Sequence, residues 1–360
     1  MENNEVLTLD RKQTSYECKR TVSRCNFSVI MYLLVASISM TIIVTIVSMI
    51  LGAEGYEAVL ADPFYSNILV WGLQILCMYI IGYPFFHSLT KHLPRRDISE
   101  KTKLGFGEFI GIFLALQAAI LGGSMVASSV TDLINSKLGI EVTDEFESLA
   151  SGTPIGIIIL VVVIIGPIFE ELIFRKVFID TIGKYSTPLA ILVSAASFAM
   201  VHGNITQIIY TFAVGLILGW VYTKTKNIIY PIILHMLVNF FGSVPSLLIA
   251  DSYDRVLAVP EDQWESMMSD AAFMMDYMKV MAVSLMQYGF LIVGGIILVS
   301  MILRRKFRLD TTGEVKLGFF GTLRSLIFNR GTLLLIIYTA ITVVSNLLTP
   351  ILEKYLEEMI

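Results

Sequence analysis

The sequence predicts an all-α fold, a polytopic integral membrane helical bundle with about eight to nine transmembrane helices. Three observations carry that expectation. Of 360 residues, 55% are apolar and 16% charged, against about 45–50% and about 25% in an average soluble chain. The apolar residues run unbroken for about 20 positions at a time, enough for a helix to cross the ~30 Å hydrocarbon core, where an isolated strand could not satisfy its backbone. The basic residues gather in alternate connections between those runs, a topological use of Lys and Arg. With a net charge of −4, this pattern argues against a nucleic-acid partner. Cys18, Cys25 and Cys77, three cysteines in so long a chain, make neither a disulfide framework nor a thiolate metal site. Any metal must therefore use His and carboxylates.

The apolar runs place candidate spans at 26–52, 66–87, 105–130, 155–180, 188–203, 206–223, 228–250, 279–303 and 332–350. A polar tail, 1–25, precedes the first, which is too long for a signal-peptide core and lacks a cleavage site, so it is expected to persist as a helix. Segment 26–154 then holds helices one to three with an outer loop, and 155–250 holds helices four to seven, of which the fifth and sixth are short. Segment 251–360 holds a second outer loop, a basic connection and helices eight and nine.

Of the 26 Lys and Arg residues, 22 fall in the connections on one side, among them Arg20, Arg95, Lys103, Lys176, Lys224, Arg305 and Arg324. The positive-inside rule makes that side cytoplasmic, with the amino terminus inside a cell membrane and the carboxyl terminus outside. The outer connections 131–154 (Asp144, Glu145, Glu147) and 251–278 (Asp251, Asp254, Glu261, Asp262) are acidic and read as solvated loop surface. Gly107 with Gly111, and Gly215 with Gly219, stand four apart and are expected to let neighbouring helices approach closely.

Ionisable residues inside apolar spans cost several kcal/mol and mark function by default. Here they collect in three places. Span four carries Glu170, Glu171 and Arg175; span five ends Phe198-Ala199-Met200-Val201-His202; span seven holds His235 and Asn239 on one helical face. Taken singly, Glu171–Arg175 reads as a surface ion pair or a snorkelling arginine, and His202 and His235 read as interfacial or interhelical hydrogen-bonding residues. Taken together, two carboxylates and two imidazoles in one bundle are the parts for activating a water, with Glu as general base and His as ligand or electrophile. Glu170 and His202 lie at similar distances from the turn between spans four and five and can meet. His235 is only about eight residues past its own turn, roughly 12 Å in, so spans five and six must tilt, break or stop short to bring His202 level with it.

Glu-Glu-x-x-x-Arg at 170–175, Phe-x-x-x-His at 198–202 and His-x-x-x-Asn at 235–239, in that order on successive helices, resemble the CPBP (Abi) family of intramembrane proteases. That family includes type II CAAX prenyl endopeptidases and bacterial proteins linked to bacteriocin immunity and processing. The resemblance covers about residues 155–245 and makes 155–250 the catalytic core, flanked by accessory helices. It implies Glu170 as the water-activating base, His202 and His235 holding or polarising the water, Asn239 as oxyanion donor, and Glu171 and Arg175 orienting the first carboxylate. Two His and one Glu also match a zinc set, so either zinc on Glu170, His202 and His235 or a metal-free water remains open. The implied partners are the lipid bilayer and a peptide or protein substrate in or at the membrane. A non-enzymatic immunity or scaffold protein and a transporter relay are the rival readings.

Overall fold

The computed structural model describes residues 2–96, 101–139, 150, 152–309, 311 and 318–357. Asp144, Glu145 and Glu147 of the first acidic connection lie outside the described residues. Among the described residues the chain is helical and without strands, and eight helices are long and apolar enough to cross a membrane.

In chain order the helices are α1 (Glu2–Ala61), α2 (Pro63–Thr90), α3 (Phe106–Leu138), α4 (Ile155–Ile182), α5 (Thr187–Val201), α6 (Ile205–Thr225), α7 (Ile229–Leu248), α8 (Ala250–Leu257), α9 (Ala271–Leu303), α10 (Gly318–Leu326) and α11 (Arg330–Glu357). Every expected span has a helix. The fifth, α5, has only 15 residues, roughly 22 Å at 1.5 Å per residue, and stops inside the bundle. The first helix reaches back through most of the polar tail and kinks at Gly52, whose φ of 70° and ψ of 171° break its geometry. Its amino-terminal half is not a free tail: Cys18, Val22 and Cys25 are buried in one core cluster with Phe178, Ile182 and Leu189.

Local chemistry sets the helix ends. Asp62 accepts from the amides of Phe64 and Tyr65 and is followed by Pro63, which needs no donor partner at a first-turn position. Asn204 and Asp270 cap α6 and α9 in the same way. Gly139 and Lys226 close α3 and α6 in the left-handed conformation.

The basic connections converge on one face. The Arg96 amide donates to the Asp180 carbonyl at the end of α4, and the Thr102 amide donates to the Thr225 carbonyl at the end of α6. Ser23 on α1 accepts from the Gly331 amide, and Asn26 donates to Thr332, both at the start of α11. Segments around 20–26, 96–102, 180, 225 and 331 are thus stitched together, as the charge pattern requires of loops that share a side. At the opposite end, Asn67 donates to the Gly152 carbonyl and the Trp71 indole donates to Thr153.

Of the two glycine pairs, one does what the spacing predicts. A Cβ on Gly215 would stand 2.8 Å from Ala195 Cα, and one on Gly219 would stand 3.1 Å from Ile191, so α5 and α6 touch backbone to backbone. Gly107 faces nothing within 4 Å, and Gly111 meets only Ile297 at 3.8 Å. That pair lies on an open stretch of α3.

Candidate active site

The site begins with an irregular helix. Within α4, Ile159–Ile165 and Leu172–Ile179 are π-helical, and the α-helical turn between them, Gly166–Glu171, carries both carboxylates. Such π stretches widen a helix and recur at functional positions. In the π register the amide at position 167 would donate to the Val162 carbonyl, but Pro167 has no N–H. Asn239 on α7 takes the vacant acceptor, its Nδ2 donating to the Val162 carbonyl at 2.9 Å. The break in α4 and the amide on α7 therefore satisfy one another, as buried backbone groups must.

One step along α7 from Asn239, His235 is 4% exposed and lies between the two carboxylates. Its Nδ1 donates to Glu171 Oε1 at 2.9 Å, and its Nε2 stands 3.6 Å from Glu170 Oε2. Glu171 is fully buried, with Oε2 3.0 Å from Nε of the equally buried Arg175. That contact is ionic but poorly aligned, since neither atom makes a full hydrogen bond, and both Nη atoms of Arg175 are also buried without a hydrogen-bond partner. The guanidinium instead lies over the Phe198 ring, 4.8 Å from its centroid, a cation–π contact. Arg175 does not snorkel.

Phe198 is the hub of the site. Its ring meets His202 edge-on at 4.9 Å and His235 edge-on at 5.7 Å, besides carrying Arg175. The depth problem posed by the short spans is solved here. Because α5 ends at Val201, His202 sits at an internal turn through Gly203, whose φ is +62°, and the imidazole comes level with His235. Nδ1 of His202 donates to the Phe198 carbonyl at 2.7 Å, leaving Nε2 as the acceptor in the neutral ring.

Glu170 is the exposed member of the pair, with a side chain 33% accessible. It lines a cavity of about 110 Å³ together with His202, Phe169 and two tyrosines from the accessory helices, Tyr32 and Tyr79. The structure thus brings Glu170, Glu171, Arg175, His202 and His235 together around Phe198 and the α4 turn, with Asn239 one turn away on α7 against Val162, and ties Glu171 to both Arg175 and His235. Both imidazoles have Nδ1 engaged and Nε2 available, as ligating histidines do. Among the described residues, however, no three His, Cys, Asp or Glu side chains converge closely enough to hold a metal ion. Tyr79 and Tyr32 escaped the sequence reading because a tyrosine in an apolar run carries no charge to mark it.

Residues 153–241 match the sequence profile of the type II CAAX prenyl endopeptidase Rce1-like family. A Bacillus subtilis protein named as a membrane peptidase, YdiL, is 34% identical over 92 residues, covering 25% of this chain and 38% of that protein. The membrane-embedded CAAX protease MroQ of Staphylococcus aureus is 37% identical over 101 residues, 26% of this chain and 41% of its own length. The UPF0177 protein YxdF of Lactococcus lactis is 33% identical over 95 residues, 26% of this chain and 52% of its own. The chain therefore spans only about half, or less, of the relatives it matches, and no solved structure matches it. The matched stretch runs from the start of α4 to Phe241 on α7 and takes in every site residue named from the sequence, so that residues 153–241 are what is similar to the type II CAAX prenyl endopeptidase Rce1-like family.

Proposed function

We infer that the protein is an intramembrane endopeptidase that hydrolyses a peptide bond of a membrane-associated peptide or protein with a water activated by Glu170. The observation that carries this reading is the placement of Glu170 against His235 Nε2 at 3.6 Å, with the other face of that imidazole held by the buried Glu171–Arg175 pair. A carboxylate that opens on a cavity, in a region where little water penetrates, is a suitable base because it can take a proton from a water held there.

In the proposed step, a water in the cavity gives one proton to Glu170 while its oxygen attacks the scissile carbonyl carbon. His202 Nε2 accepts the water's other hydrogen and orients it. The proton on Glu170 then passes to the leaving amine as the C–N bond breaks, with His235 Nε2 close enough to stabilise the protonated carboxyl. Asn239, to which the resemblance assigns the oxyanion, has one Nδ2 hydrogen committed to Val162 and one free. Zinc on the same three side chains is the alternative way to carry the water.

The charge asymmetry of the connections further supports an amino terminus on the cytoplasmic side of a cell membrane, with the cavity reached from the inner leaflet. Processing of a small peptide, as in bacteriocin maturation or immunity, fits the same chemistry. The test is cleavage of a panel of membrane-anchored peptide reporters by the purified protein in liposomes, in buffer enriched in heavy-oxygen water and with and without a chelator. One heavy oxygen in the new carboxylate and an unchanged rate with chelator support the reading. An intact panel favours a scaffold or relay, and loss of activity restored by zinc alone favours the metal.

A further inference from the structure

We propose that the hydroxyl of Tyr79, on an accessory helix outside the matched segment, donates a hydrogen bond to the oxyanion of the tetrahedral intermediate. The proposal rests on the endopeptidase reading above. The motif assigns the oxyanion to Asn239, yet the geometry gives Asn239 a prior engagement with the Val162 carbonyl, and neither Asn239 nor His235 lines the cavity beside Glu170. A carbonyl attacked by a water on Glu170 must lie in that cavity. Its polar walls are Glu170 and His202, which accept, and the hydroxyls of Tyr32 and Tyr79, which can donate.

Tyr79 is the better placed of the two hydroxyls. Its ring is stacked on Phe169 at 4.7 Å with an interplanar angle of 24°, and Tyr83 also meets Phe169, edge-on at 4.8 Å. Phe169 is the residue before Glu170, so the phenol is registered to the carboxylate through one side chain. The hydroxyl lies 3.5 Å from the point where a Cβ on Gly166 would stand, and Glu170 Oε1 lies 3.9 Å from that same point. Hydroxyl and carboxylate therefore border the same bare stretch of α4. Oε1 is the carboxylate oxygen at this stretch, while Oε2 stands 3.6 Å from His235 Nε2. Among the described residues the Tyr79 hydroxyl makes no hydrogen bond. A half-buried phenol at a cavity wall calls for a partner.

Tyr79 also sits in a π-helical stretch, Ile75–Gly82, the counterpart of the one that precedes Glu170 in α4. Met78 and Tyr79 from this stretch, and Ile173 and Phe174 from the π stretch that follows Glu170, line the one cavity. As the water oxygen bonds to the carbonyl carbon, the electron pair of the C=O bond moves onto oxygen, and the Tyr79 O–H meets the charge there. The proton from water resides on Glu170 and leaves with the amine. Tyr79 itself returns unchanged. A preorganised donor aimed at developing charge is worth about 10²–10³ in kcat.

The experiment compares Tyr79→Phe, Tyr83→Phe and Tyr32→Phe with the parent on one reporter, reading kcat, KM and thermal stability in the same liposomes. Phenylalanine keeps the stack on Phe169 and removes only the hydroxyl. The expected result is a loss of about 10²–10³ in kcat for Tyr79→Phe with KM within about twofold, at parental stability, and no loss for Tyr83→Phe. A Tyr79→Phe variant with the parental kcat, or a loss that follows Tyr32→Phe instead, overturns the role while the endopeptidase reading stands. A parent that leaves the reporter panel intact overturns that reading and the Tyr79 role with it.

Discussion

Glu171, not Glu170, grips His235, with Oε1 2.9 Å from Nδ1, while Glu170 meets the opposite ring nitrogen at 3.6 Å. Two adjacent carboxylates thus do different work. Glu171, fully buried, balances Arg175 and holds the imidazole; Glu170, partly open to the cavity, is the one the proposed reaction sets against the water.

That division separates their mutants. Glu171→Gln leaves the Arg175 charge buried without its carboxylate, and breaking one side of a buried pair costs about 3–5 kcal/mol. Thermal unfolding in detergent should show a large drop in midpoint for Glu171→Gln and little change for Glu170→Gln. Equal stability of the two would mean that the Glu171–Arg175 pair is not a buried ion pair.

Arg175 gives a second arm of the same argument. Arg175→Met alone strands Glu171 and should destabilise by a similar amount, yet the double variant Glu171→Gln with Arg175→Met should cost clearly less than the sum, because no unpaired charge remains. Arg175→Lys keeps the charge but loses the flat contact with Phe198, worth about 0.5–2 kcal/mol, and should fall between parent and Arg175→Met. Additive losses in the double variant would remove the pair from the account.

The short fifth helix makes Gly203 the residue that fixes the depth of His202. A Cβ there would have to tolerate a φ of +62° and would stand 2.6 Å from Thr342 Cγ2 on α11. Gly203→Ala is expected to destabilise by about 1–2 kcal/mol from backbone strain alone, and to lower reporter cleavage further by moving the imidazole. Unchanged activity at unchanged stability would show that the turn does not set the site.

How far the sequence revealed this arrangement depends on what each residue costs in lipid. Charges in an apolar run are expensive and so stand out, which is why Glu170, Glu171, Arg175, His202 and His235 were visible along with the helices that carry them. Their pairing was not visible. Adjacent glutamates point about 100° apart on a helix, and which one meets His235 depends on the π stretches and on the Pro167 break, features of register that hydropathy does not record. Gly107–Gly111 and Gly215–Gly219 have identical spacing, and only the neighbour across the gap, no nearer than the Ile297 side chain at 3.8 Å for the first and the Ala195 backbone at 2.8 Å for the second, tells them apart. Tyr79 is silent for the opposite reason, since its ring suits an apolar helix and only its hydroxyl matters.

Topology is open to direct labelling. Lys91 and Asp262 are exposed, whereas Cys18, Cys25 and Cys77 are all buried. In a background without those cysteines, Asp262→Cys should react with an impermeant thiol reagent on intact cells, and Lys91→Cys only after the membrane is broken. Labelling of Lys91→Cys in intact cells would invert the orientation and put the cavity mouth on the outer leaflet.

The central claim is that Glu170 is the base that makes water a nucleophile. Its most direct test is the single-turnover cleavage rate of one liposome-anchored peptide by Glu170→Gln, beside the parent, with matching unfolding midpoints. The expected rate is lower by about 10²–10⁴, because Gln keeps the volume of the side chain but takes no proton from water. A folded Glu170→Gln protein that cleaves at close to the parental rate would contradict the account and leave the reaction to another group.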